Sequence, residues 1–143
     1  MSVNVAGEQL RSRYNREAIL SASPARLLTM LYDRLLLDLH RAERAQLAED
    51  WSTASENLLH AQAIVAELTS SLRLDVWDGA QGLLGLYNYV SSSLVHANTH
   101  RDAIATRTCA ELLEPLRLTW HEAADRLAES TASARPTGTI IIA

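Results

Sequence analysis

The chain has 143 residues, about the length of one domain, with 13 basic and 17 acidic residues and a net charge of −4. Its 48% hydrophobic and 21% charged residues exclude a disordered chain, which lacks the apolar side chains to form a core; a chain of this length buries roughly 68–70% of its unfolded surface. Five Gly and three Pro are too few for an all-β chain with many tight turns, while 24 Leu and 22 Ala both favour helix.

Taken in chain order, residues 1–22 mix Gly7, polar residues and Arg around a small apolar set, Tyr14, Ala18 and Ile19, and the composition predicts a mobile segment or cap. Ser23 is a good N-cap and Pro24 fits the first helical position, where its missing N–H costs nothing. From Pro24 to about Ala48 the pattern is helical. Leu28, Leu31, Leu35 and Leu39 mark one face, and Leu27, Met30, Leu36 and Leu37 widen it, so the helix is expected to sit centrally among its neighbours. Only Glu49 and Asp50 separate it from a second helix, which makes a tight αα-hairpin. In that helix Trp51, Ala54, Leu58, Ala61, Val65, Leu68 and Leu72 step alternately by three and four, a strict packing seam. Asp75 or Asp78 is expected to cap a third helix, from about Ala80 to Ala97, with Ala80, Leu83, Tyr87, Val90, Leu94 and Ala97 inward. Gly82 and Gly85 are expected to thin one side of it, letting another backbone approach. A fourth helix is read from about Asp102 to Ala128, with Ala105, Cys109, Leu112, Leu116, Trp120, Ala123 and Leu127 inward and Pro115 inside it, bending it or removing one hydrogen bond. Residues 129–143 have the composition of a disordered tail. Short loops favour antiparallel neighbours, so the expectation is an all-α, up-down four-helix bundle over residues 23–128 with a short N-terminal helical cap.

Chemistry is sparse in this pattern. Di-iron bundles use Glu-x-x-His, which does not occur here. Glu56 and His60 belong to the polar side of the second helix. His96 and His100 have a chelating i, i+4 spacing, but they also suit the frayed C-terminus of a helix, where a cation meets the dipole. Cys109 lies mid-helix on an apolar face and reads as a small core residue; being single it forms no internal disulfide, which suits a reducing compartment. There is no glycine-rich phosphate loop and no nucleophile elbow. The expectation is therefore no enzyme, no metal and no cofactor. All 13 basic residues are Arg and are scattered, without an electrostatic footprint for nucleic acid. No N-terminal apolar run suggests a secretory signal, and no run approaches the ~18–20 apolar residues of a membrane span. What remains is surface recognition. Tyr14, Tyr32, Tyr87 and Tyr89 either fill the core with their hydroxyls at its edge or line a groove that accepts a partner helix.

Several motifs, in this order and spacing, resemble the flagellin export chaperone family, FliS. They are Tyr14, Ala22-Ser23-Pro24, and the run Leu27-Leu28-Thr29-Met30-Leu31-Tyr32-Asp33. Asn57 to Leu68 is similar to the family's second helix and Leu86-Tyr87-Asn88-Tyr89-Val90 to its third. Ala97-Asn98 with Asp102 resembles the turn that follows, and Leu116-Arg117 with Thr119-Trp120 the last helix. The resemblance covers about residues 14–128. Arg34 stands where the family usually has Gly, Arg26 and Asn88 where it has an acid, and the Ile-ending tail is extra.

The resemblance implies a cytosolic, non-enzymatic helical bundle, monomeric or weakly dimeric when free. Such a chaperone binds the disordered C-terminal segment of flagellin, prevents premature polymerisation and presents the client to the flagellar type III export gate. The expected flagellin groove comprises Tyr14, Ile19, Leu28, Leu31, Tyr32, Leu35 and Tyr87, with Tyr14 and Ile19 as a removable lid beside Leu28, Tyr32 and Leu35. The alternatives are a self-associating structural bundle and a metal-binding bundle.

Overall fold

The computed structural model describes residues 22–75 and 78–134; Tyr14 and Ile19, with the lid expected of them, and residues 135–143 lie outside these. Four helices follow one another: α1 (Pro24–Leu47), α2 (Trp51–Ser71), α3 (Gly79–Thr99) and α4 (Ala103–Ala134). No strand occurs among the described residues. Two units can be distinguished. The smaller contains the start of α1, up to Met30, and the end of α4, from Trp120; the larger is Leu31–Thr119.

The larger unit is a four-helix bundle, and its side-chain bonds give the helix directions. Asp33 meets Arg117 and Gln46 meets Thr106, so α1 and α4 run antiparallel. Tyr32 meets Tyr87 and Gln46 meets the Ala97 carbonyl, so α1 and α3 run parallel. Helix α2 packs along α3. Helix α1 has bonded contacts with all three others and is buried around much of its circumference: Tyr32, Leu35, Leu36, Asp38, Leu39, Ala42, Ala45 and Gln46 are all buried. The wide apolar face read from its sequence has this position as its cause. The seams of α2 and α3 also lie where the stepping puts them, with Ala54, Leu58, Ala61, Val65 and Leu68 buried on α2 and Ala80, Leu83, Tyr87, Val90, Leu94 and Ala97 on α3.

The α1–α2 and α3–α4 turns share one plan. Ser23 Oγ accepts from the Arg26 N–H to start α1. At its end, Glu49 adopts a left-handed conformation (φ 58°), and the Asp50 N–H donates to the Ala45 carbonyl at 2.8 Å while Glu49 N–H donates to Gln46. This is a Schellman closure with a charged residue where Gly is usual. Asp50 then turns from closing α1 to capping α2, accepting from the Thr53 N–H. At the other turn Arg101 is left-handed (φ 51°), and the Asp102 N–H donates to the Ala97 carbonyl at 3.0 Å. The Asp102 carboxylate then caps α4 by accepting from Ile104 and Ala105. These bonds, led by that from Ala105, lower its pKa, so this cap is kept at neutral pH and lost as pH falls through the depressed value. A left-handed non-Gly residue costs ~1–2 kcal/mol, so each turn keeps its strained residue against a sterically easier Gly.

Four expectations are corrected. The inward face of α4 is rotated from the one expected: Thr106, Cys109, Ala110, Leu113 and Ala124 are buried, whereas Leu112 is 40% and Leu127 56% exposed and Ala123 is exposed. Stepping through apolar residues alone missed Thr106, which enters the core because Gln46 accepts its hydroxyl hydrogen bond. Helix α4 also continues to Ala134, past the expected end near Ala128. Gly82 and Gly85 admit no neighbouring backbone, since a Cβ at either would meet nothing within 4 Å among the described residues. Asp78 precedes α3 but makes no side-chain cap bond.

In the smaller unit one polar link involves a buried side chain and another is on the surface. Thr29 Oγ1 donates to the Arg26 carbonyl at 2.8 Å. Arg26 and Asp125 form an exposed ion pair at 3.8 Å, of little energetic weight.

The corrected register of α4 has a measurable consequence. Leu113→Ala, at 0% exposure, is expected to lower unfolding free energy by ~2–5 kcal/mol. Its neighbour Leu112→Ala should change it by no more than ~0.5–1 kcal/mol. Urea denaturation of both variants checks the assignment, and the reverse order would restore the face first read from the sequence.

Candidate functional site

The tyrosine motifs converge in the bundle core. The Tyr32 and Tyr87 hydroxyls share a hydrogen bond of 2.6 Å, and the residues are 0% and 2% exposed. Burial, followed by the bond to Tyr32, raises the pKa of Tyr87 far above its ordinary value. The alternation within Leu86-Tyr87-Asn88-Tyr89-Val90 follows from helix geometry. Tyr87 and Val90 are inward, whereas Tyr89 is 54% exposed and Asn88 is exposed. Leu35 is fully buried as well. Leu28, in the smaller unit, and Leu31, in the bundle, are half-buried. Tyr32, Leu35 and Tyr87 are therefore core residues, and Leu28 and Leu31 keep surface that another chain can touch.

Two polar clusters in the bundle escaped the sequence reading. Asp38 is completely buried on α1. Its Oδ1 accepts from Arg34 Nε at 3.0 Å and its Oδ2 pairs with His60 Nδ1 of α2. A buried carboxylate without partners costs several kcal/mol, and Arg34 and His60, each half exposed, are what allow Asp38 to sit there. At the end of α1, Gln46 Nε2 donates to the Ala97 carbonyl at 3.2 Å while Thr106 Oγ1 donates to Gln46 Oε1 at 2.7 Å. One buried amide thereby ties α1, α3 and α4. No apolar period marks such residues; the available signal was a polar residue at an inward angle of a largely apolar helix.

Between α1 and α4 of the bundle runs an open groove. One part, of about 300 Å³, lies against Leu39, His40, Ala110 and Glu114. The next, of about 360 Å³, shares His40 and Glu114 and continues past Leu36 and Leu37 to Arg117. Arg117 crosses it: Nη2 donates to Glu114 Oε1 at 2.8 Å, Nε to Oε2 at 3.1 Å and Nη1 to Asp33 Oδ1 at 3.1 Å. These bonds, Glu114's first, raise the Arg117 pKa, and Arg117 holds the Glu114 carboxyl below its ordinary value. The groove has an apolar floor and charged walls, a form suited to an amphipathic helix.

No group of three or more His, Cys, Asp or Glu side chains able to hold a metal ion occurs among the described residues. His96 and His100 stack with ring centroids 4.3 Å apart, and His96 Nε2 is 3.3 Å from Asp102. Cys109 is buried, and burial pushes its thiol up to about 11 against the lowering effect of a hydrogen bond with Ser93; a thiol so protonated is a poor nucleophile at neutral pH. No described helix is long and apolar enough to cross a membrane.

The family model for the flagellar protein FliS matches residues 6–127. The chain belongs to the FliS family. The flagellar secretion chaperone FliS of Bacillus subtilis (strain 168) is 27% identical over 110 residues, covering 77% of this chain and 82% of the relative. A crystal structure of a bacterial flagellar chaperone has the same fold, with a TM-score of 0.67 at 20% identity over 84% of this chain and 98% of the other. Within this FliS-family fold Arg34, with His60, is a partner of buried Asp38.

The tyrosine pair carries two predictions. Tyr32→Phe deprives the buried Tyr87 hydroxyl of its bond and should cost ~1–3 kcal/mol. Tyr32→Phe with Tyr87→Phe should cost less than the sum of the single changes, a coupling that a double-mutant cycle in urea measures. The second concerns pH. A pKa raised in the folded state makes the Tyr87 contribution fully present below the unfolded value, about 10, and progressively lost above it. The urea midpoint should therefore fall beyond about pH 10, and less steeply in Tyr87→Phe than in the parent chain.

Proposed function

We propose that this chain is a cytosolic export chaperone that binds the disordered C-terminal segment of flagellin, keeps it from polymerising early and presents it to the flagellar type III export gate. The observation that carries this reading is membership of the FliS family over residues 6–127, and the naming of a relative as a flagellar secretion chaperone supports it. A chaperone of this kind needs no reacting groups; it needs apolar surface that a disordered client can cover. The α1–α4 groove offers a floor of that kind, and Leu37 on its wall is 40% exposed. A wrapping client touches more than one face, and Leu28 and Leu31 are its further contacts. Tyr32, Leu35 and Tyr87 act from behind, by fixing the position of α1.

Coupled folding of a disordered segment takes ~2–5 kcal/mol from the gross interaction energy and leaves a large negative heat-capacity change as its mark. Isothermal titration with a flagellin C-terminal peptide at several temperatures is expected to show saturable binding with that signature. Leu37→Glu should weaken it by roughly tenfold or more, the effect of losing ~1.4 kcal/mol, with the urea midpoint nearly unchanged. Absence of binding to the parent chain would overturn the function, and full binding by Leu37→Glu would move the client out of the α1–α4 groove.

A further inference from the structure

The two turns at one end of the bundle, Glu49-Asp50 and Arg101-Asp102, are built alike, with one difference. Both carry a left-handed charged residue. The Glu49 side chain makes no hydrogen bond or ion pair with a described residue, whereas the Arg101 guanidinium lies over the Trp51 ring, 4.7 Å from its centroid. Gly is the easy residue at such a position. Arg stands there, and the backbone angle aims its side chain across the end of the bundle onto an aromatic face.

The guanidinium is held but not neutralised. Among the described residues it has no carboxylate in ion-pair reach. Of the acids in the two turns, Asp102 accepts from Ile104, Ala105 and His96, Asp50 accepts from Thr53, and none of them, Glu49 included, forms an ion pair with Arg101. Beside it opens a recess of about 210 Å³ lined by Gln46, Trp51, Ala54, Ser55, Asn98 and Arg101, room for about one side chain. Its floor is rigid, because Gln46 is the buried amide that ties α1, α3 and α4. In the same end layer stand the two most exposed large hydrophobic residues described, Leu47 at 73% and Ile104 at 77%. An Arg stacked on Trp presents a planar fork of donors suited to a carboxylate, and Arg and Trp are favoured anchors at protein interfaces.

We propose that this end of the bundle is a second docking surface, taking a partner protein's Asp or Glu side chain flanked by apolar residues. The carboxylate binds the Arg101 fork above Trp51, and the flanking residues cover Leu47 and Ile104. This surface is separate from the α1–α4 groove and does not rest on the flagellin reading.

The test uses the full chain, isotope-labelled, titrated with a capped hexapeptide alternating leucine and glutamate, with a leucine–glutamine twin as control. The glutamate peptide is expected to shift the Trp51 indole N–H resonance and the twin to leave it in place. Arg101→Gly suits the left-handed backbone, so the fold is kept; it should weaken the glutamate peptide by roughly tenfold or more, as expected for loss of a charge-assisted hydrogen bond. Arg101→Lys, which keeps charge without the planar fork, should fall between. Binding of the flagellin peptide by Arg101→Gly should match the parent chain. Equal response to both hexapeptides, or undiminished binding of the glutamate peptide by Arg101→Gly, overturns the proposal. Loss of the flagellin peptide in Arg101→Gly also overturns it, by assigning this surface to flagellin.

Discussion

Helix α1 is buried around much of its circumference, and the polar atoms it carries inward have to be answered by partners there. The Tyr32 hydroxyl is answered by Tyr87, the Asp38 carboxylate by His60 together with Arg34 on the next turn, and the Gln46 amide by the Ala97 carbonyl and Thr106. Each answer comes from a fixed height along α1, so together they set the axial position of the other three helices. Leu35, Leu39, Leu58, Val90, Leu94 and Leu113 fill the space between and supply most of the burial, but apolar contacts tolerate a slide of one helix along another more readily than these bonds do. The polar set gives the bundle its register and the apolar set gives it cohesion.

That division explains what was legible in the sequence. The helices, their hairpin connection through Glu49-Asp50 and the seams of α2 and α3 were readable because apolar residues on those faces repeat without interruption. On α4 the inward face departs from apolar stepping, because Thr106 takes the core position that stepping assigns to Ala105; Cys109 stays inward, while Leu113 is buried in place of Leu112. Asp38 and Gln46 were invisible for the same reason: a carboxylate or an amide on a helix counts as surface until its partners, 22 and 51 residues away in the chain, are known. Gly82 and Gly85 were overread, since a glycine on a helix permits close approach without requiring it.

The candidate site shows the same limit from the other direction. Tyr32, Leu35 and Tyr87 are prominent in the sequence because the core depends on them, and prominence alone does not separate the floor of a site from its lining. The open groove is made of less conspicuous residues, Leu37, His40, Glu114 and Arg117 among them. They are brought together by the antiparallel packing of α1 on α4, and Arg117 bridging Glu114 and Asp33 spans the groove with charge. The tyrosine motifs record the scaffold, and the groove is formed by residues that local motifs describe poorly.

The bundle is also unevenly fastened along its length. At one end Asp50 and Asp102 each close one helix and cap the next, with the Gln46 amide buried beneath them. At the other, α3 begins with Asp78 making no cap bond and with Gly82 and Gly85 adding no side-chain contact, a deficit of about 1 kcal/mol for each Gly relative to Ala. Local opening follows the lowest free energy available. The first turns of α3 are therefore expected to open before the far end, with their amide protons exchanging with solvent ahead of those around Leu94 and Ala97.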